Sequence, residues 1–315
     1  MYKGNGFNNL VNSISLQIFK NLFISIAEEM GVTLGRTAYS PNIKERLDYS
    51  CAVFDKNGQM IAQAAHIPVH LGSMSSSIEQ AIKNQKCFDG DIIILNDPYL
   101  GGTHLPDITL VSPIYINNSL EGFIANRGHH ADIGGMTPGS LPLSTDVHQE
   151  GLIIPPIKLY SKGVLNEDVF QLICRNSRTP GERRGDLSAQ IASIRTGEIR
   201  MKDVISKYGI HEVIEHMEAL MNYSEVLMKK TISNIPNGNY TYTDFMDDDG
   251  ISKDKIPISV SIAVSDENVT IDFTGTSDQR YGCINTPYAV ARSATLYVFN
   301  CLAGQENIPS NEGCS

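Results

Sequence analysis

The chain has 315 residues, of which 41% are hydrophobic and 19% are charged, and this composition is typical of globular proteins rather than of disordered or fibrous ones. Its formal net charge is −10, from 25 basic and 35 acidic residues, so binding to nucleic acid or to an anionic membrane surface is not predicted. The apolar stretches are too short to cross a bilayer, and the first residues lack the apolar core of a secretory signal. A cytoplasmic location is therefore expected.

The cysteines are spread along the chain without any CxxC pair, which excludes a zinc ribbon and a thioredoxin motif. They are Cys51, Cys87, Cys174, Cys283, Cys301 and Cys314. Because disulfides are rare in cytoplasmic proteins, we expect thiols at these positions.

An amphipathic helix and a hairpin are predicted for the first part of the chain. Residues 13–30 place apolar side chains at three- and four-residue steps, with Ser13 as a candidate N-cap and Gly31 as a candidate stop. Residues 48–62 contain two short strands around an Asn-Gly turn, which is the strongest short-range hairpin signal.

A helix, a short buried strand and a second hairpin come next, and two loops rich in glycine and proline flank that hairpin. The helix covers 73–84, the buried strand 92–95, the loops 96–107 and 128–145, the hairpin strands 108–115 and 122–127, and one more strand 152–159. Pro155 and Pro156 place that last strand at a sheet edge or at a strand end.

The rest of the chain changes from helical to β-rich, with helices over 168–176, 184–207 and 211–230, strands over 240–245, 258–264 and 269–275, and an apolar helical face at 296–302. We therefore expect an α+β metal-site region (1–165), a helical region (166–235) and a β-rich region (236–315) that ends in an apolar helix. The predicted fold class is α+β, with antiparallel hairpins, a mixed sheet and segregated helices.

The second hairpin carries the most informative side chains, because two imidazoles and a carboxylate lie near its open end. A turn centred on residues 117–118 sets Asp107 opposite Gly128, and opposed Cα atoms are about 4.5–5.5 Å apart. His104, Asp107 and His129 could then converge on one metal ion, at ~2.0–2.2 Å per bond. This donor set suits a divalent first-row ion, and manganese, zinc and iron stay open as alternatives. A hydrogen-bonded loop anchor without metal is the other interpretation.

Two further residues are candidates for proton transfer. Adjacent residues of an extended strand point to opposite faces, so we take His129 as the ligand and His130 as a nearby donor or proton carrier. Glu150, close in sequence to His148, is a candidate general acid or base, or a further ligand.

The other histidines are assigned ordinary structural roles. His66 and His70 have the spacing of a zinc-binding helix, but Pro68 between them disfavours that helix. His211 and His216 belong to a polar helical segment and are expected at the surface.

Common nucleotide and nucleophile motifs do not occur in the sequence. GxxxxGK, GxGxxG and GxSxG are all missing. If ATP is used, another chain has to bind it.

Several segments, in order along nearly the whole chain, resemble the hydantoinase B/oxoprolinase family. They are RTAYSPNIKERLDYSCAVFD (36–55), AHIPVHLGSM (65–74), NDPYLGGTHLPDITLVSPIY (96–115), NRGHHADIGGMTPGS (126–140), QEGLIIPP (149–156), GDLSAQIASIRTG (185–197) and DFTGTSDQ (272–279). In the related acetone carboxylase, manganese is held by a His, an Asp three residues later and a further His. The matching positions here are His104, Asp107 and His129.

The resemblance implies a B-type subunit of an ATP-dependent cyclic amidohydrolase that acts on hydantoin or 5-oxoproline-like lactams. A hydantoinase A-type ATPase partner would bind ATP and phosphorylate the substrate, and metal-assisted attack of water would follow in this chain, within a hetero-oligomer. Two alternatives stay open: a subunit of an ATP-dependent ketone carboxylase, and a non-catalytic truncated remnant. The last follows from the length of family chains, since this sequence matches about their N-terminal half.

Overall fold

The computed structural model describes residues 11–65, 67 and 69–304. The helices and strands of this part of the chain are α1 (Ser13–Thr37), α2 (Pro41–Lys44), β1 (Tyr49–Asp55), β2 (Met60–Ala65), α3 (His70–Asn84), β3 (Ile92–Leu95), β4 (Asp107–Ile116), β5 (Ser119–His129), β6 (Ile157–Ser161), β7 (Val164–Leu165), α4 (Glu167–Arg175), α5 (Pro180–Tyr208), α6 (Ile210–Ile232), β8 (Gly238–Met246), β9 (Ile256–Ser265), β10 (Asn268–Asp272) and α7 (Tyr288–Ala303). Among these elements, no helix is both long enough and apolar enough to cross a bilayer.

The strands form a seven-stranded sheet in the order β2-β1-β5-β4-β3-β6-β7 and a three-stranded sheet in the order β10-β9-β8. The predicted α+β class is confirmed, with one correction. Each strand pair of both sheets is antiparallel, so the larger sheet is not mixed. The reason is that β1–β2, β4–β5 and β6–β7 are hairpins, while β2 and β3, which run in the same direction and are joined through α3, are not neighbours in the sheet.

Helices cover both faces of the larger sheet. Successive side chains of a strand point to opposite faces, so each strand contributes to two separate buried clusters. Val53 and Ile124 pack in one buried cluster with residues of α1, α5 and α6. Their neighbours Ala52 and Phe123 pack in a second buried cluster with residues of α3. The middle strands are therefore buried on both sides.

Helix α1 is longer than predicted at its C-terminal end. Its N-cap is Asn12 rather than Ser13, since the Asn12 side chain accepts hydrogen bonds from the backbone N–H groups of Ile14 and Ser15. Gly31 does not end the helix, which continues for another turn and a half to Thr37. Packing explains the extension, because this last part of the helix lies against β1 and a Cβ on Gly35 would approach the Tyr49 hydroxyl to 2.7 Å.

Prolines explain two other differences at element boundaries. Helix α5 begins at Pro180 rather than at residue 184, since proline is favoured in the first turn of a helix. Strand β6 begins at Ile157 rather than at residue 152, because the two preceding prolines have no N–H to donate to a ladder.

The second hairpin is confirmed, but its register differs from the predicted one by a single residue. Asn117 and Asn118 both adopt the left-handed conformation, with φ of 50° and 65°, as a two-residue hairpin turn requires. Close to the turn Tyr115 pairs with Leu120, whereas Ile114 pairs with Gly122, so Glu121 forms a bulge. The extra residue shifts the rest of the ladder and sets Asp107 opposite His129 instead of Gly128.

The predicted C-terminal strands and helix are present. Helix α7 runs well beyond the predicted 296–302 segment and packs against α3, where the Gly72 N–H donates to the Ser293 hydroxyl at 3.1 Å. Leu296 faces this contact and is buried, while Val298 and Leu302 are exposed. The division into regions 1–165, 166–235 and 236–315 stays a prediction.

Candidate metal centre

Three adjacent strands bring the candidate site together at one end of the larger sheet. Asp107 and His129 are paired residues of β4 and β5, so their side chains lie on the same face. Asp48 immediately precedes β1, and its carbonyl oxygen accepts a 3.0 Å hydrogen bond from the His129 N–H. His104 comes from the loop before β4. Because His104 is only three residues before Asp107, its side chain can reach the start of β4.

The ligand atoms of the predicted triplet form a nearly equilateral triangle. Asp107 Oδ1 is 3.0 Å from His129 Nδ1 and 3.1 Å from His104 Nε2, and the two nitrogens are 3.2 Å apart. For bonds of about 2.1 Å to a common ion, ligand atoms are about 3.0 Å apart at right angles and about 3.4 Å apart at tetrahedral angles. The triangle therefore matches one face of an octahedron.

The donor chemistry also fits a cation. Two imidazole nitrogens and one carboxylate oxygen face one another within 4.8 Å. Hydrogen bonds alone satisfy such a triangle poorly, because two ring N–H groups aimed at one oxygen would also face each other. A shared cation would satisfy all three lone pairs at once.

Asp107 lies at the centre of the polar contacts. Its second oxygen, Oδ2, accepts a 2.5 Å hydrogen bond from the Thr103 hydroxyl and lies 3.5 Å from His70 Nε2. His70 is buried, and its other ring nitrogen is 2.9 Å from the Ser50 hydroxyl. A core role for His70 is confirmed, but sequence reasoning missed its contact with Asp107. His66 lies outside the described residues.

The electrostatics favour an ionised Asp107. Burial by itself would raise the pKa of Asp107, but the charge of His104 and hydrogen bonds from the surrounding imidazoles hold that pKa well below its usual range. Burial would likewise lower the pKa of His104, but the Asp107 charge outweighs it and raises the pKa of that ring. The carboxylate is therefore available as an anionic ligand at neutral pH.

A buried guanidinium lies on the same face of the sheet. Arg127 donates hydrogen bonds to the hydroxyl groups of Ser73, Ser77 and Thr109, at 2.5, 2.7 and 2.9 Å. Burial lowers the pKa of Arg127 to about 10, and the charge of Asp107 opposes this shift. The guanidinium stays charged at neutral pH and adds a fixed positive charge to the surroundings of Asp107.

His130 lies on the other face of the sheet, as the alternation of an extended chain predicts. Its Nε2 donates to Gln190 Oε1 at 2.8 Å, and its Nδ1 accepts from the Arg183 guanidinium. Burial, reinforced by the Arg183 charge, lowers the pKa of His130 to about 3. Both ring nitrogens are thus occupied away from the triplet, and the structure does not bring His130 to it.

Glu150 is likewise not part of this group of converging ligand atoms. Its carboxylate accepts a 2.8 Å hydrogen bond from Ser144, and the neighbouring His148 is exposed and paired with Asp146. The nearby second carboxylate is instead that of Asp48, whose Oδ2 is 3.9 Å from His129 Nδ1. Asp48 could not be predicted from the sequence, because its position depends on the pairing of β1 with β5, which are distant in sequence.

The helical histidines differ from each other. His211 is exposed, as expected, but His216 is buried and its ring stacks on Phe19 with centroids 3.9 Å apart. The surface prediction for His216 is therefore wrong. Its side of α6 packs against α1, which the polar composition of the segment did not indicate.

Comparisons with known proteins agree with the sequence motifs. The profile described as hydantoinase B/oxoprolinase matches residues 12–315. The chain belongs to the hydantoinase B/oxoprolinase family. It is 37% identical to 5-oxoprolinase 1 of Arabidopsis thaliana, over 97% of this chain and 26% of that protein. It is 36% identical to the putative B-type subunit of the D-/L-hydantoinase of Pseudomonas sp. strain NS671, over 85% of this chain and 48% of that protein.

A solved structure in the same group has the same fold. The ATP-dependent caprolactamase from Pseudomonas jessenii matches with a TM-score of 0.85 and 28% identity, over 92% of this chain and 50% of that chain. The chain spans about half, or less, of the length of the curated relatives it matches. The family resemblance drawn from the motifs is confirmed.

Proposed function

We propose that this chain is a B-type component of an ATP-dependent enzyme that opens cyclic amides, and that His104, Asp107 and His129 hold a divalent ion in it. The observation that carries the proposal is the triangle of ligand atoms, with sides of 3.0–3.2 Å. The names of the relatives support the substrate class, because hydantoin, 5-oxoproline and caprolactam are all cyclic amides. Manganese, zinc and iron stay candidates, and the short sides of the triangle favour an ion that accepts octahedral coordination.

A divalent ion at this place would lower the pKa of a water molecule and polarise a substrate oxygen. The chain's own residues determine where that chemistry takes place. Asp107 and His129 are buried, whereas the His104 side chain is 34% exposed and marks the side from which substrate can enter. The Asp48 carboxylate is 29% exposed and lies 3.9 Å from His129 Nδ1, so it could accept a hydrogen bond from water at the site. Glu150 and His130 have no direct contact that supports their predicted roles.

ATP would be used by a partner. The amide bond is stabilised by resonance, and phosphorylation of the carbonyl oxygen would remove that stabilisation and make the ring carbon more electrophilic. Water would then add to this carbon, the C–N bond would break as the nitrogen takes a proton, and phosphate would be released when a second water hydrolyses the resulting acyl phosphate. The sequence has no glycine-rich phosphate loop, and the caprolactamase relative is ATP-dependent. We therefore propose an A-type ATPase partner that activates the lactam, and a hetero-oligomer in which this chain completes the ring opening. A cytoplasmic location stays a prediction.

The proposal is tested by producing the chain together with an A-type partner and measuring ATP-coupled ring opening of hydantoin, 5-oxoproline and caprolactam by mass spectrometry. His104→Ala should lower turnover by at least about a hundredfold, because one of three ligands is lost. His148→Ala is the matched control, since that histidine is exposed and pairs with Asp146 rather than with a residue of the triplet. Full activity of the His104 variant would refute the role of the site.

The same assay separates the alternative functions. With a ketone and ¹³C-labelled bicarbonate added to the substrates, a ketone carboxylase incorporates the label into a carboxylated ketone, whereas a cyclic amidohydrolase gives an unlabelled ring-opened product. A complex that binds neither manganese nor zinc and turns over none of the substrates would favour the non-catalytic remnant.

A further inference from the structure

The two oxygens of Asp107 have different neighbours. Oδ1 faces the imidazole nitrogens of His104 and His129. Oδ2 points away from them, toward the Thr103 hydroxyl at 2.5 Å and His70 Nε2 at 3.5 Å. A carboxylate that can rotate freely would offer both oxygens to an ion. Here one oxygen already has two neighbours that can donate hydrogen bonds.

His70 is itself held in one orientation. It is the first residue of α3, its side chain is buried, and its Nδ1 lies 2.9 Å from the Ser50 hydroxyl of β1. If that hydroxyl donates to Nδ1, the ring proton is on Nε2 and points toward Asp107. Ser50, His70 and Asp107 thus form a chain of buried contacts that runs across α3 and the sheet.

We propose that Thr103 and His70 are positioning residues that hold Asp107 Oδ2 and make Asp107 a one-oxygen ligand. The inference rests on the proposed metal site and deepens it. With one atom each from His104, Asp107 and His129, an octahedral ion keeps about three adjacent positions open. That number accommodates a water molecule together with a substrate that binds through two atoms. A bidentate Asp107 would remove one of these positions.

A general stabilising role for these hydrogen bonds makes a different prediction. If Thr103 and His70 served the fold alone, their removal would lower the melting temperature and leave the affinity of the folded protein for metal unchanged. Residues around metal ligands that fix a ligand's orientation typically change metal affinity by about 10- to 100-fold. Affinity and the number of bound waters are therefore the decisive measurements, and neither requires the partner or the substrate.

The experiment uses the whole chain, stripped of metal with EDTA, and Mn²⁺ as the probe. Thr103→Val removes the hydroxyl at constant shape, and Thr103→Ser retains it. His70→Leu removes the donor, and His70→Gln retains an N–H near the Nε2 position. The affinity for Mn²⁺ is measured by isothermal titration calorimetry. The number of bound waters is measured from the broadening of the Mn²⁺ electron paramagnetic resonance signal in ¹⁷O-enriched water. Folding is checked by thermal melting. His148→Ala serves as the control for loss of an exposed imidazole.

We expect Thr103→Val and His70→Leu to bind Mn²⁺ about 10- to 100-fold more weakly than the unchanged protein, with fewer or more weakly held waters. Thr103→Ser, His70→Gln and the control should retain the original affinity within about threefold. If His70→Leu does not fold, the two Thr103 variants decide the matter, since both stay close to the size of threonine. Unchanged affinity and water count in Thr103→Val would refute the positioning role alone. A lack of Mn²⁺ and Zn²⁺ binding by the unchanged chain would refute the metal site itself, and the inference with it.

Discussion

Two glycines of helix α5 allow the packing of that helix against the sheet to be measured with the same substitution. Gly197 is buried, and a Cβ built on it would lie 2.5 Å from Met30 Sδ and 2.7 Å from Ile124 Cγ2. Gly181 lies in the first turn of the same helix, and a Cβ there would meet nothing within 4 Å. Alanine removes the backbone freedom of glycine at both positions, so the difference between the variants reports mainly on packing.

The magnitude follows from these distances. Gly181→Ala should raise the free energy of unfolding by about 0.4–1 kcal/mol. Gly197→Ala gains a similar entropic stabilisation, but its Cβ would approach both Met30 and the β-branched Ile124 to within 2.7 Å, so these side chains have to move. Overpacking of this kind costs about 1–3 kcal/mol. We therefore expect Gly197→Ala to be less stable than Gly181→Ala by about 1–3 kcal/mol.

Urea unfolding followed by circular dichroism, in the presence of EDTA, measures this difference. The denaturant slope of both variants should equal that of the unchanged protein, which makes the shift in midpoint a shift in stability. Equal midpoints for the two variants would contradict the close approach of α5 to α1 and β5.

The remaining predictions concern the metal site and the thiols. Mn²⁺ at about 100 times its dissociation constant should stabilise the unchanged chain by about 2.7 kcal/mol, which raises its melting temperature by roughly 5 °C. Asp107→Asn keeps the shape of the side chain but loses its charge, so Mn²⁺ should not raise the melting temperature of this variant. Equal shifts in both proteins would place the ion elsewhere. Burial raises the pKa of the Cys51 thiol to about 12, although the Ser193 hydroxyl opposes this shift. At pH 8 only about one Cys51 in 10⁴ is a thiolate, so iodoacetamide followed by peptide mass spectrometry should label the exposed Cys301 at least a hundredfold faster, and comparable rates would contradict the burial of β1.

Local signals in the sequence were sufficient for most elements of the fold. Gly58 in the first turn and the paired asparagines at 117–118 in the second specify their hairpins, because they adopt left-handed backbone conformations that few other residues adopt. The convergence of His104, Asp107 and His129 followed from the second hairpin alone, because all three residues lie at its open end.

Contacts between distant segments could not be predicted in the same way. His70 reaches Asp107 because α3 begins over the end of β4, and Asp48 reaches His129 because β1 pairs with β5. Neither arrangement leaves a periodic or turn signal in the sequence. The burial of His216 has the same origin, since it depends on which face of α6 meets α1.

The Glu121 bulge links the tip of the second hairpin to its opposite end. Strand β4 has ten residues, so the bulge and the ligands are separated by about 25 Å. Removing or adding one residue at the tip would exchange the inward and outward sets of side chains along β5, unless the loop absorbed the change. A change of loop length at this remote tip would thus disturb the arrangement of the ligands, and epitope tags or fluorescent labels are better inserted elsewhere on the protein.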